Sequence, residues 1–161
     1  MAGSTRCPPV FMNIKRFKTD GSIRDIYKFS EVKKLKRPLI GAHVPAGFPS
    51  PAQDYIEGLL DLNEHLIRHP SATFFMHADG YSMKNAGINP GDLLIVDRAL
   101  EARSNSIIIA IVDGELTLKR FRLDNGRPYL IPENEEYEPF LIEEDMDFVI
   151  WGVVTFVIHA L

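Results

Sequence analysis

Residues 107–121 read Ile107-Ile-Ile-Ala-Ile-Val-Asp-Gly-Glu-Leu-Thr-Leu-Lys-Arg-Phe121. Two apolar, β-branched runs flank Asp113-Gly114, and an Asp-Gly pair favours the tight type I′ turn of a β-hairpin. The stretch therefore predicts two antiparallel strands, Ile107–Val112 and Leu116–Leu123, connected through this turn. Lys119 falls inside the second strand and not in a loop.

Four further apolar runs have the same character, because each is short, rich in β-branched or aromatic residues and bounded by turn residues. The strands predicted from them are Thr73–Met76, Leu93–Val96, Tyr129–Ile131 and Phe148–Ile158. Between Tyr55 and Pro70, apolar residues recur every three or four positions, which predicts one amphipathic helix or two short ones. A weaker helical pattern covers residues 23–35. We expect a mainly β domain with one short helical segment.

Length and charge divide the chain into two parts. With 161 residues, of which 45% are hydrophobic, the chain can bury one compact core but not a second folded domain. Residues 1–46 carry ten Lys or Arg against three Asp or Glu, whereas residues 47–161 carry eight against nineteen. We interpret residues 1–46 as an extended basic arm and residues 47–161 as the folded domain.

Composition and missing motifs narrow the class of function. No apolar run reaches the roughly 20 residues that span a bilayer, so no membrane association is expected. The single cysteine, Cys7, cannot form an internal disulfide, which favours a reducing, cytoplasmic setting. The chain has no phosphate-binding loop, dinucleotide-binding turn or paired-cysteine motif, so neither a cofactor nor a metal is predicted.

The arm leaves two interpretations open. The basic run at residues 33–37 is compatible with nucleic-acid contact, and equally with a solvated arm attracted to the acidic domain. An arm of this length is too short for a helix-turn-helix domain with its own core. No direct sequence-specific DNA binding is therefore expected.

Ser82 is the first candidate for chemistry. It lies just after a predicted strand in Asp79-Gly-Tyr-Ser-Met83, where Gly80 permits a tight turn that can present a hydroxyl beside backbone N–H groups. A serine nucleophile also needs a base. Five histidines, the usual bases, lie outside any triad or metal motif: His43, His65, His69, His77 and His159. A Gly-x-Ser turn alone has a purely structural explanation in most proteins.

Lys119 is a second candidate, as a base. A lysine accepts a proton only when neutral, and with an ordinary pKa near 10.4 it is almost entirely charged at pH 7. A lysine base must therefore be buried in an apolar site. Strand alternation places Lys119 on one face with Thr117 and Phe121, and neither face is wholly polar or apolar. A solvent-facing lysine stays open as an alternative.

Eight segments, taken together, resemble a known family. They are Ala46-Gly-Phe-Pro-Ser-Pro-Ala52, Leu60-Asp-Leu-Asn63, His69-Pro-Ser-Ala-Thr73, Gly80-Tyr-Ser-Met83, Gly87-Ile88, Gly91-Asp-Leu-Leu-Ile-Val-Asp97, Val112-Asp-Gly-Glu-Leu-Thr-Leu-Lys119 and Gly152-Val-Val154. In this order and at these spacings they resemble the self-cleaving family of SOS proteins that includes UmuD and LexA, with UmuD-like sequences the closer match. The likeness runs from about Ala46 to the C-terminus.

The resemblance implies a fold and a set of site residues. The fold is the β-rich peptidase domain of LexA and UmuD C-terminal regions, with an extended N-terminal arm. Ser82 takes the position of the nucleophile, Lys119 that of the general base, and the Ala46-Gly47 bond that of the substrate. If the two side chains act together, the Ser82 Oγ and Lys119 Nζ atoms should lie within about 3.5 Å of each other.

The resemblance also implies partners. UmuD-like proteins are homodimers whose cleavage is stimulated by a RecA-type recombinase filament on single-stranded DNA. The processed dimer then associates with a Y-family, UmuC-like DNA polymerase in translesion synthesis. Two alternatives stay open: a dimeric scaffold subunit of a polymerase that does not cleave itself, and a fragment of a LexA-like repressor.

Overall fold

The computed structural model describes residues 18–28, 36–40 and 56–161, and within them the chain is mostly β. The strands are β1 (Lys18–Thr19), β2 (Ile23–Lys28), β3 (Lys36–Ile40), β4 (Ile56–Asp61), β5 (Thr73–Ala78), β6 (Leu93–Asp97), β7 (Ile107–Val112), β8 (Glu115–Asp124), β9 (Arg127–Ile131), β10 (Phe140–Leu141) and β11 (Phe148–Ile158). The α-helix α1 spans Leu62–Leu66, and short 3-10 turns cover Pro70–Ala72 and Lys84–Ala86. The prediction of a mainly β fold with one short helix is confirmed.

One large sheet carries most of the strands. Its order is β10-β9-β8-β7-β11-β6-β5-β2, and β1 adds in parallel to β8. Strands β3 and β4 form a separate antiparallel pair. The boundary predicted at residue 46 lies outside the described residues, but residues 18–19 and 23–28 of the predicted arm form strands that pair with the main sheet.

The central hairpin is as predicted from its turn. Val112 pairs with Glu115, and the two intervening residues have positive φ, 48° at Asp113 and 83° at Gly114. A two-residue loop of this geometry matches the twist of the strands that it joins. The register continues to Ile108 opposite Lys119, so the lysine is in β8 as expected.

Two apolar clusters hold the sheet together. Alternation along β8 sends Leu116 and Leu118 into the first cluster, which includes Met76 and Leu94, and all four are essentially inaccessible to solvent. Phe121 belongs to the second cluster. Because neighbouring residues of a strand point to opposite faces, the side chains of Thr117 and Lys119 emerge on the face away from Leu118.

The predicted helix between Tyr55 and Pro70 is largely wrong. Its first half is strand β4, and only residues 62–66 are helical, with the Asp61 carboxylate capping the backbone N–H of Asn63 at 2.9 Å. The three- and four-residue spacing suggested a helix, but β4 is held extended by antiparallel pairing with β3. The weak helical pattern at residues 23–35 is also wrong where it is described, since residues 23–28 form β2 on the edge of β5.

Candidate active site

Ser82 lies in a tight turn just after β5. Gly80 has φ +69°, a value that side chains rarely allow, and the turn then buries Ser82 to 6% exposure and Met83 to 2%. Asn134, itself buried, donates a 3.0 Å hydrogen bond from its side chain to the Tyr81 carbonyl. The turn is therefore held both by its own backbone and by the loop that follows β9.

The structure brings Lys119 to this serine. The Lys119 Nζ atom lies 3.4 Å from Ser82 Oγ, and the lysine side chain is only 14% exposed. The amine also donates to Thr117 Oγ1 at 2.8 Å and to the Leu118 carbonyl at 3.2 Å. The separation is within the 3.5 Å expected of a cooperating pair. Ala46 and Gly47 lie outside the described residues.

A third residue of the site, Asp20, was missed by the sequence reasoning. Its carboxylate accepts a 2.9 Å hydrogen bond from Lys119 Nζ and further bonds from the hydroxyls of Thr117 and Ser22. The Asp-Gly-Ser order at residues 20–22 signals a turn, but nothing in the sequence places that turn beside a lysine 99 positions later. The contact depends on tertiary structure alone.

The pKa of Asp20 lies below its ordinary value. Burial raises this pKa, but the charge of Lys119 and the hydrogen bonds from Ser22 and Thr117 together outweigh the effect of burial. A carboxyl whose pKa falls on folding stabilises the folded state above its unfolded pKa, and this stabilisation is lost as the pH falls through the folded value. At neutral pH the Asp20 carboxylate is therefore ionised.

Three histidines, His69, His77 and His159, contact residues other than Ser82 through their ring nitrogens. His69 Nδ1 lies 2.6 Å from the buried Asp97 carboxylate, and His159 Nδ1 lies 2.6 Å from that of Asp92. His77 Nδ1 lies 3.4 Å from the Gly91 carbonyl.

Among residues 18–28, 36–40 and 56–161, no group of acidic, histidine or cysteine side chains could hold a metal ion. In the same residues, no helix has the length and apolar character needed to cross a bilayer.

A cavity of about 480 Å³ opens beside the lysine. Its lining includes the polar residues Asp20, Thr117 and Lys119 and the apolar side chains of Val112, Leu130 and Phe140. A cavity with both apolar and polar lining residues can hold the side chain of a bound peptide. Asp113 and Glu115 also line it and add negative charge.

The backbone of the Ser82 turn offers hydrogen-bond donors. Within the part of the chain that the structure describes, the N–H groups of Ser82 and Met83 have no protein acceptor. Free N–H groups beside a nucleophile can stabilise an oxygen that becomes negatively charged during acyl transfer. The turn thus places two backbone donors beside the Ser82 hydroxyl, close to the Lys119 amine.

A lysine amine against a serine hydroxyl in a β-rich domain is typical of serine peptidases in which lysine replaces histidine as the base. The chain belongs to the Peptidase S24-like family, whose model matches residues 38–155. This is a family of self-cleaving serine peptidases, and the prediction of a UmuD-like member of the LexA and UmuD family is confirmed.

Relatives support this assignment over most of the chain. Protein MucA of Salmonella typhimurium is 43% identical over 133 residues, which cover 81% of this chain and 90% of MucA. Protein ImpA of Escherichia coli is 50% identical over 123 residues, which cover 76% of this chain and 83% of ImpA. The LexA repressor of Aeromonas salmonicida is 42% identical over 106 residues, which cover 66% of this chain and half of the repressor. The chain is thus similar over most of its length to UmuD-like members of this family.

Proposed function

We propose that this protein cleaves its own Ala46-Gly47 bond, with Ser82 as nucleophile and Lys119 as general base. The main support for the proposal is that Ser82 Oγ and Lys119 Nζ lie 3.4 Å apart in a chain that belongs to this family. The low exposure of both side chains supports it further, because peptide cleavage is favoured at a site from which water is largely excluded.

The reaction is an acyl transfer in two steps. Neutral Lys119 takes the Ser82 proton while Oγ attacks the Ala46 carbonyl carbon, and the N–H groups of Ser82 and Met83 stabilise the resulting oxyanion. The carbon–nitrogen bond then breaks, and Lys119 returns the proton to the departing amine of Gly47. Water, deprotonated by Lys119, hydrolyses the ester to give the Ala46 carboxylate and free Ser82.

Small residues at the scissile bond fit this site. Ala46 needs only a shallow pocket, and Gly47 leaves room for the serine to approach. Val44 would then enter the apolar side of the cavity at Val112 and Leu130. Because the bond is part of the same chain, its effective concentration beside Ser82 is high once the segment has docked.

The family membership supports a place in SOS mutagenesis. In this proposal a RecA-type filament on single-stranded DNA stimulates the cut in the cytoplasm. The processed form, residues 47–161, acts as a homodimer and as the accessory subunit of a Y-family, UmuC-like polymerase in translesion synthesis. No direct sequence-specific DNA contact is required.

Stimulation by the filament is the test of this regulation. We expect a recombinase filament, assembled on single-stranded DNA with nucleotide, to raise the cleavage rate at neutral pH by about 5- to 150-fold, the usual range of allosteric coupling. The appearance of residues 47–161 is followed by electrophoresis and mass spectrometry. The same recombinase without DNA is the control. Equal rates with and without filament, in a protein that cleaves at alkaline pH, would contradict the proposed activation.

A further inference from the structure

Residues 18–28, here called the docked segment, connect the two strands that carry the candidate site. They precede residues 38–155, which the family model matches. Within the segment, β1 pairs with β8, which carries Lys119, and β2 pairs with β5, which leads to Ser82. The chain crosses from one strand to the other at Gly21, whose φ is +88°.

The docked segment occupies the edge of β8 just before Lys119. The Leu116 carbonyl accepts a 3.1 Å hydrogen bond from the Asp20 N–H, and the Leu118 N–H donates a 2.8 Å bond to Ser22 Oγ. Strand β9 pairs with this side of β8 only from Arg120 onward. An extended peptide presented to Ser82 and Lys119 would add to this same edge, because strand addition uses such backbone groups.

The segment also contacts the turn that carries the serine. The Asp79 N–H donates a 2.7 Å hydrogen bond to the Ser22 carbonyl. A Cβ atom on Gly80 would lie 3.0 Å from the Gly21 carbonyl oxygen, so the missing side chain at Gly80 allows this close approach. Ser22 is only 4% exposed, as expected of a residue with contacts to both strands.

Asp20 brings a negative charge directly to the lysine. A lysine that forms an ion pair carries its proton, and a protonated amine cannot take the proton of Ser82. The Asp20–Lys119 contact at 2.9 Å has side chains that are 33% and 14% exposed, so solvent screens it only in part. Asp113 and Glu115, which line the same cavity, have the same sign of charge as Asp20.

We propose that residues 18–22 are an intramolecular inhibitor of the Ser82–Lys119 pair. They fill the edge of β8 that the scissile segment needs, and Asp20 holds Lys119 in its charged form. Cleavage therefore requires that this part of the chain first leave the site. The inference rests on the proposed function, since it assigns a regulator to the same two residues.

The test compares Asp20→Asn with Asp25→Asn in the full-length chain. Asp25 is a matched control, because it lies on the same segment but its side chain is 45% exposed and pairs with Arg24 instead of Lys119. At neutral pH and without filament, we expect Asp20→Asn to cleave about tenfold faster or more than the wild type, since loss of a neighbouring carboxylate raises the neutral fraction of an amine by at least that factor. Asp25→Asn should cleave at the wild-type rate.

A second measurement does not depend on cleavage. In a Ser82→Ala background, acetic anhydride modifies unprotonated amines, and mass spectrometry gives the acetylation of Lys119 relative to the exposed Lys84. We expect faster acetylation of Lys119 in Asp20→Asn than in the wild type or Asp25→Asn. If circular dichroism shows that Asp20→Asn does not fold, Ser22→Ala replaces it, because that hydroxyl binds both Asp20 and the Leu118 N–H.

The outcomes separate the two proposals. The proposal that residues 18–22 inhibit the site would be overturned by equal acetylation of Lys119 in the wild type, Asp20→Asn and Asp25→Asn. If Ser22→Ala replaces Asp20→Asn, equal acetylation in Ser22→Ala and the wild type would overturn it. Faster acetylation in Asp20→Asn without cleavage of any chain would support the contact as an inhibitor of lysine reactivity and refute the self-cleaving function. Faster acetylation together with faster cleavage supports both.

Discussion

Ser82→Ala is expected to lose self-cleavage altogether, with a fall in rate of at least about 10³-fold, because no other group can form the acyl-enzyme ester. The fold should survive, since the change removes one hydroxyl whose described contact is a 3.4 Å bond to Lys119. The rate is measured at alkaline pH as the appearance of residues 47–161.

Ser71→Ala is the matched control for the serine, because Ser71 is exposed in the turn before β5. It should cleave at the wild-type rate. A Ser82→Ala chain that still yields the same fragment at more than about a hundredth of the wild-type rate would rule out Ser82 as the nucleophile.

Lys119→Ala and Lys119→Arg should both lower the rate by about 10²- to 10⁴-fold, the usual contribution of a general base. The arginine variant separates charge from proton transfer. Arginine keeps the positive charge and can still pair with Asp20, but it does not give up its proton at accessible pH. First-order rates of fragment formation at alkaline pH measure both variants.

Lys84 provides the control for the lysine. It follows Ser82 closely in the chain, is largely exposed and pairs with Glu136 at 3.5 Å, so Lys84→Ala should leave the rate unchanged. A Lys119→Arg chain that keeps more than about a tenth of the wild-type rate would mean that positive charge, and not proton transfer, is what the site requires.

Local signals predicted six of the eleven described strands, β5 to β9 and β11, but not β2 or β4, whose residues were predicted to be helical. The Asp113-Gly114 turn determines the β7–β8 hairpin by itself, so this element and the position of Lys119 within it could be predicted. Strand β4 could not be predicted, because its extended conformation depends on pairing with β3. The spacing of its apolar residues alone indicated a helix. Local patterns describe an element only where its own residues determine its conformation.

The candidate site was harder to predict than the fold. Alternation along β8 left the burial of Lys119 open, and its approach to Ser82, 37 residues away in the chain, followed only from the family resemblance. Asp20 was not predicted, because residues 1–46 were interpreted as one basic arm. Nothing in the sequence distinguishes Asp20 from the other two acidic residues of that arm. Its role depends on a contact that only the folded chain creates.

The most direct test of the proposed self-cleavage is the cleavage product of the unmodified protein. Purified protein is incubated at a series of pH values between about 7 and about 10, and the fragments are identified by intact-mass and N-terminal analysis. We predict one new N-terminus, at Gly47, formed at a rate that increases with pH as lysine loses its proton. No fragment, a cut at another bond, or a rate that stays constant over this range would contradict cleavage by Ser82 and Lys119.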